Sequence, residues 1–81
     1  MVHELKVQPR YWPDYKSGNK TFSMRKADRH FSVGDIVIFR LWENETIIAM
    51  EYVVRKISHI MHDYDFKYVP NGFCILSLKE I

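Results

Sequence analysis

Apolar and polar side chains alternate through His3-Glu4-Leu5-Lys6-Val7, with Leu5 and Val7 on one face and Glu4 and Lys6 on the other, as in a half-buried strand. Between Pro9 and Ser17 the spacing changes. Tyr11, Trp12 and Tyr15 recur at helical intervals, which predicts a helix of about two turns. Pro13 has no amide hydrogen and its ring collides with the preceding turn, so it belongs at the start of that helix. Gly18 suits the left-handed residue that ends it. Thr21 to Lys26 reads as a second strand, with Phe22 and Met24 facing inward and Thr21, Ser23 and Arg25 on the other face. Ile36 to Trp42 is rich in β-branched and aromatic residues and is predicted as a third strand, begun by a turn at Gly34-Asp35. Glu43-Asn44-Glu45 is expected to be a hairpin loop, with Asn44 the residue best able to take a positive φ, and Thr46 to Ile57 the returning strand. A turn at Tyr68 to Gly72 precedes a last strand, Phe73 to Leu78. The pattern is mainly β with one or two short helices, an α+β chain of five to six strands. Periodicity leaves open whether the sheet is a partly open barrel or a strongly curved layer.

Composition narrows the class. A chain of 81 residues holds a single domain, and one this small buries only about 60–65% of the surface exposed when unfolded, so its large apolar side chains are needed in the core. With 47% hydrophobic residues and three each of Gly and Pro, it is neither disordered nor of low complexity. No apolar run is long enough to span a bilayer, and Met1-Val2-His3-Glu4-Leu5-Lys6 carries polar residues where a signal peptide is apolar, so a cytoplasmic protein without membrane association is expected. Cys74 stands alone in an apolar run and is expected to be a plain buried thiol.

Charge changes the picture once it is divided along the chain. The net charge is +2, but Lys16 to His30 holds five bases against one acid, a local +4, and the remainder carries −2. A short basic segment of this kind is an electrostatic footprint for an anionic partner, or simply a solvated face.

The order Gly18-Asn19-Lys20, then Arg25, then Gly34-Asp35 ahead of an apolar strand, resembles the ASCH (activating signal cointegrator homology) superfamily. The likeness is to short bacterial and phage proteins within it, through His3, Leu5 and Lys6 in the first strand, the aromatic helix, the segment Arg25-Lys26-x-Asp28-Arg29, Trp42, and Gly72 before the last strand. It extends over nearly the whole chain. It implies a PUA-like barrel, related in architecture to RNA-binding domains, with a cleft lined by the Gly-x-Lys turn and the Arg-bearing strand. Many of these relatives have Glu where this chain has Ser23. Some superfamily members are amidohydrolases that deacetylate acetylated cytidine. Their Gly-x-Lys lysine acts with a hydroxyl residue and a later carboxylate, and Lys20 and Ser23 match the first two.

A nucleotide or RNA ligand needs charged donors in fixed positions and flat faces for stacking. Arg25 offers a planar fork and Lys20 a mobile point charge; Arg29 and Lys6 extend the basic surface, and Trp42, Trp12 and Tyr11 are candidates for stacking. Trp12 and Tyr11 also suit docking of the helix on the barrel, whereas Trp42 shares strand parity with Arg40, opposite Val37, Phe39 and Leu41, and is expected on an accessible face. Gly18, Gly34 and Asp35 are assigned to structural turns, and Asp28 to a turn or to an ion pair with Arg25 or Arg29. Catalysis by Lys20 and Ser23 would require Lys20 to lie ahead of the pleated strand, since three residues apart within it they point to opposite faces. His59 and His62 are spaced like a helical ligand pair, but neither a helix nor a third ligand is indicated, so no metal and no cofactor are expected. The expected function is an RNA- or nucleotide-binding module. A small amidohydrolase acting on an acetylated nucleoside is the first alternative and a protein-interaction module the second.

Overall fold

In the computed structural model, which describes residues 1–81, Val2–Val7 form strand β1 and bury His3, Leu5 and Val7 while Val2, Glu4 and Lys6 face outward. A 3-10 turn at Pro9–Tyr11 runs directly into helix α1, Trp12–Ser17. So short a helix is not stable in isolation. It is held by burial of Trp12 and Tyr15, by Gly18 at φ +84°, and by Arg55, whose Nη2 donates to the Tyr15 carbonyl at 3.2 Å. Strands β2 (Phe22–Lys26), β3 (Ile36–Glu43), β4 (Thr46–His62) and β5 (Phe73–Lys79) follow.

The fold is mainly β, one sheet of five strands in the order β1-β3-β4-β5-β2, curled into a half-barrel. β1 lies parallel to β3, and every other pair is antiparallel. β4 is the long spine, pairing with β3 through its first part and with β5 through its second. Register shifts between Arg40 and Trp42 and between Ile57 and His59 put bends where the sheet must curl. Val37, Phe39, Val53, Ile57, Leu76 and Leu78 fill the concave face with Leu5 and Val7, and Trp12, Tyr15 and Phe31 cover them from the helix and the loop after β2. The Tyr15 and Phe39 rings meet at 4.7 Å. No helix is long and apolar enough to cross a membrane.

The structure corrects three local expectations. β4 continues to His62 instead of stopping at Ile57, because the bulge beyond Ile57 absorbs the polar Ser58-His59 pair and returns Ile60 to the core. The hairpin loop is two residues and not three, since Glu43 belongs to β3; Asn44 takes the expected positive φ (51°) and Glu45 takes one as well (62°), the geometry that matches the twist of the flanking strands. The faces of β2 are the reverse of those expected: Ser23 is buried and Arg25 partly buried, while Phe22 and Met24 are about half exposed. Tyr15 is buried against the Ser23 face, its hydroxyl needs a polar partner, and Ser23 is that partner.

The loop entering β3 is fastened by Asp35. Its Oδ2 accepts from His3 Nε2 at 2.8 Å and from the Ser32 amide at 3.0 Å, and Oδ1 accepts from the N-terminal ammonium at 3.1 Å. The His3 bond foremost, then the Ser32 amide, hold the Asp35 carboxyl down to about 2 from its ordinary 3.8. A carboxyl with a lowered pKa in the folded chain contributes stability above its unfolded value and loses it as pH falls toward the folded one. The expected outcome is that the urea midpoint falls between pH 4 and pH 2, and that Asp35→Asn lowers the midpoint at neutral pH and flattens this acid limb. Equal acid limbs in the two proteins, followed by tryptophan fluorescence, would contradict the role given to Asp35.

Candidate functional site

An open half-barrel leaves two free sheet edges, and here they are β1 and β2. They approach each other at Arg25, whose Nη1 donates across the seam to the Lys6 carbonyl at 3.0 Å. A cleft of about 380 Å³ lies over this seam, lined chiefly by Lys6, Tyr11, Tyr15, Lys20, Ser23 and Arg25, a volume within the usual range of small-ligand sites, about 300–1,000 Å³. No carboxylate is among its lining residues.

Each cation in the cleft is placed by local structure. The glycine turn after α1 brings the Lys20 amide onto the Asp14 carbonyl at 3.0 Å, so Lys20 precedes the first residue of β2. Its Nζ sits 4.9, 4.8 and 5.5 Å from the ring centroids of Tyr11, Tyr15 and Phe22, within the range of cation–π attraction. Asp14 borders the outer side of Lys20 but forms no ion pair with it. Arg25 is held by its Nε donating to Ser23 Oγ at 2.8 Å, by Nη1 on the Lys6 carbonyl, and by the Phe39 ring 5.7 Å beneath it. Nη2 makes no hydrogen bond to the protein. Lys6 Nζ lies 5.1 Å from the Trp42 ring. Three positive groups are thus oriented by rings, a hydroxyl and a carbonyl, none of which cancels their charge.

Ser23 is the buried hub of this arrangement, accepting from Tyr15 Oη at 2.9 Å as well as from Arg25 Nε. Its oxygen therefore serves as an anchor on the floor of the cleft. The sequence marks Tyr15 only as an aromatic of the helix and does not show its link to Ser23. The available signal is a tyrosine on a core-facing stripe, which always has a hydroxyl to satisfy.

The other predicted residues are distributed as follows. Arg29 lines an adjoining depression of about 320 Å³ with Glu4, Lys6, Arg25, Lys26 and Asp28, and its Nε is 3.8 Å from Asp28, a loose pair. Trp12 is buried at 7% exposure in the core and has no face to offer a ligand; the small domain uses this large ring for packing. Trp42 is partly exposed but follows the bulge after Arg40, and it lines a different depression with Gln8, Pro9, Arg10 and the hairpin turn. Two exposed rings line the cleft, Phe22 at 53% and Tyr11 at 39%; Arg10 and Lys20 lie 4.6 and 4.9 Å from the Tyr11 centroid. Gly34, at φ +97°, donates its amide to the Ile57 carbonyl at 2.8 Å, and Asp35 lines neither depression at the seam. His59 and His62 occupy β4, and His62 stacks on Tyr64 at 4.8 Å. Cys74 is buried, its thiol pushed up by burial and then by the charges of Asp28 and Asp63.

The hub supplies a stability test. Tyr15→Phe removes one neutral donor and is expected to cost about 0.5–1.5 kcal/mol. Ser23→Ala leaves both the Tyr15 hydroxyl and Arg25 Nε without an acceptor, so its cost should be larger, roughly 2–4 kcal/mol. Urea titrations of the two variants, showing a smaller loss for Ser23→Ala than for Tyr15→Phe, would contradict the hub.

No curated protein matches the chain. The model of the family described as Domain of unknown function (DUF3850) matches residues 2–78, from the first residue of β1 to the penultimate residue of β5, and the chain belongs to that family.

Proposed function

We propose that this chain is an RNA- or nucleotide-binding module of the ASCH, PUA-like kind, with the seam cleft as its site. One observation carries the reading. Lys6, Lys20 and Arg25 converge on a cleft that no carboxylate lines, beside the exposed rings of Phe22 and Tyr11. Cations clustered without acidic partners repel one another, and a phosphate relieves that repulsion while releasing its own counterions. Arg25 lines the cleft with Nε and Nη1 already committed, which fixes its guanidinium plane and leaves Nη2 free to donate to a ligand. Phe22, the more exposed of the two rings, and Tyr11 supply flat faces for a base to stack on, an interaction worth about 1–3 kcal/mol for each base.

The amidohydrolase reading draws support from Lys20 lying ahead of β2 and sharing the cleft with Ser23. It lacks a third member, since no acid lines the cleft, and Ser23 is only 2% exposed with its oxygen engaged by two donors. Binding without turnover is therefore the reading favoured. Acetylated cytidine incubated with the protein at high concentration should be recovered intact by chromatography.

Affinity for short single-stranded RNA is expected to fall as salt rises. Lys20→Ala combined with Arg25→Ala should reduce the slope of log K against log salt by roughly 0.7 for each phosphate that is no longer neutralised, with the fold retained as judged by circular dichroism. Salt-independent binding, or no binding across RNA and nucleotide panels, would overturn the proposal.

A further inference from the structure

The seam holds two depressions, and they are not independent. Lys6 and Arg25 line both, so the two depressions adjoin across this shared pair, the Tyr11 and Lys20 side on one hand and Lys26, Asp28 and Arg29 on the other, and together they offer a strand one furrow. The two halves differ in chemistry. The first has no carboxylate, whereas the second has Glu4 and Asp28 among its cations. Glu4 is committed to Arg40 at 2.9 Å. Asp28 is not committed in this way: its side chain is 66% exposed and reaches only Arg29, at 3.8 Å.

A free carboxylate is misplaced in a site built for phosphate alone, because it repels the ligand it should help to hold. It does suit a base edge, where it accepts from the exocyclic amine of cytosine and, by the same chemistry, of adenine or guanine. Arg29 beside it adds donors for ring nitrogens and carbonyl oxygens. The furrow thus combines a stacking and phosphate compartment at Tyr11 and Lys20, a bridging pair of cations at its middle, and a base-edge compartment at Asp28 and Arg29.

We infer that the ligand is an oligonucleotide of at least two nucleotides, whose linking phosphate rests on Arg25 and Lys6 and whose amine-bearing base is read by Asp28, in place of a mononucleotide. This rests on the cleft being a nucleotide site and specifies which nucleotides it takes. A mononucleotide occupies one compartment only and forgoes the other. Ribose and deoxyribose strands share the phosphate and base chemistry, so both belong in the test.

The experiment is calorimetric titration of the full chain with cytidine monophosphate, the dinucleotides pCpC and pUpU, and the deoxy counterparts. Homodinucleotides make the outcome independent of which nucleotide faces Asp28. The expected result is that pCpC binds roughly ten- to a hundredfold more tightly than the monophosphate, the gain of one further held base. pUpU, which has no exocyclic amine, should bind several-fold more weakly than pCpC. Asp28→Ala should erase that cytosine preference. Removing a negative charge raises affinity for both dinucleotides alike, so the ratio between them isolates base reading from electrostatics. A tighter ribo than deoxyribo series assigns the strand to RNA, and parity extends the site to single-stranded DNA; either agrees with the inference. If the monophosphate binds and pCpC is no tighter, or if the pCpC to pUpU ratio is unity or unmoved by Asp28→Ala, the inference falls and the nucleotide reading stands. If none of the probes binds, the nucleotide reading falls and takes the inference with it.

Discussion

Five strands curl but do not close, and the seam left between β1 and β2 is the constraint from which the rest of this molecule follows. Two unpaired edges facing each other leave backbone donors and acceptors unsatisfied and expose the core beneath them. This chain joins the edges with side chains. Tyr15 reaches from the helix to Ser23 on β2, Ser23 anchors Arg25, and Arg25 reaches the Lys6 carbonyl on β1. The helix, both edges and the candidate cleft are therefore one bonded unit. Its shape is set by where the sheet fails to close.

The way the cations are held bears directly on function. Salt bridges would orient them equally well but would neutralise them, and exposed pairs add little to stability in any case. In the seam, Lys20 rests against three aromatic rings, Arg25 over Phe39, and Lys6 beside Trp42. Arg29, 6.0 Å from the Phe31 ring centroid, is the exception, since Asp28 stands 3.8 Å from its Nε. A ring quadrupole attracts a cation without supplying a counter-charge, so position is gained and the full positive field is kept. Lys16 with Glu51 and Arg40 with Glu4 form ordinary ion pairs elsewhere, and the contrast separates cations that support the fold from those available to a ligand.

Much of this is legible in the sequence, and the exceptions have physical causes. The strands, the short helix and its glycine stop follow from alternation, spacing and turn chemistry, all local signals that agree with one another. What local signals do not contain is the neighbour across space. Alternation in β2 correctly separates Phe22 and Met24 from Ser23 and Arg25, but hydropathy sends the wrong pair inward, because the edge strand faces a tyrosine hydroxyl instead of a greasy layer. Helical spacing already allows Trp12 to be a core residue and strand parity favours an accessible Trp42, but only topology buries Trp12 and sets Trp42 beyond a bulge, away from the cleft lining. Lys20 and Arg25 stand out together because they lie close in the chain. Lys6 joins them only through the meeting of two edges, at residues that the sequence places nineteen apart.

Ser23 is where the demands of fold and field meet. A glutamate at this position would also accept from Arg25 Nε and Tyr15 Oη, and would do so more strongly. It would also bring a negative charge to the floor of the cleft, cancelling the guanidinium it orients. Serine is the smallest side chain that accepts both donors, fits beneath Tyr15 and Arg25 at an edge strand, and adds no charge. The seam is thereby closed by neutral acceptors while its field remains positive. One residue thus reconciles the structural need to join the edges with the positive field that the proposed anion site requires.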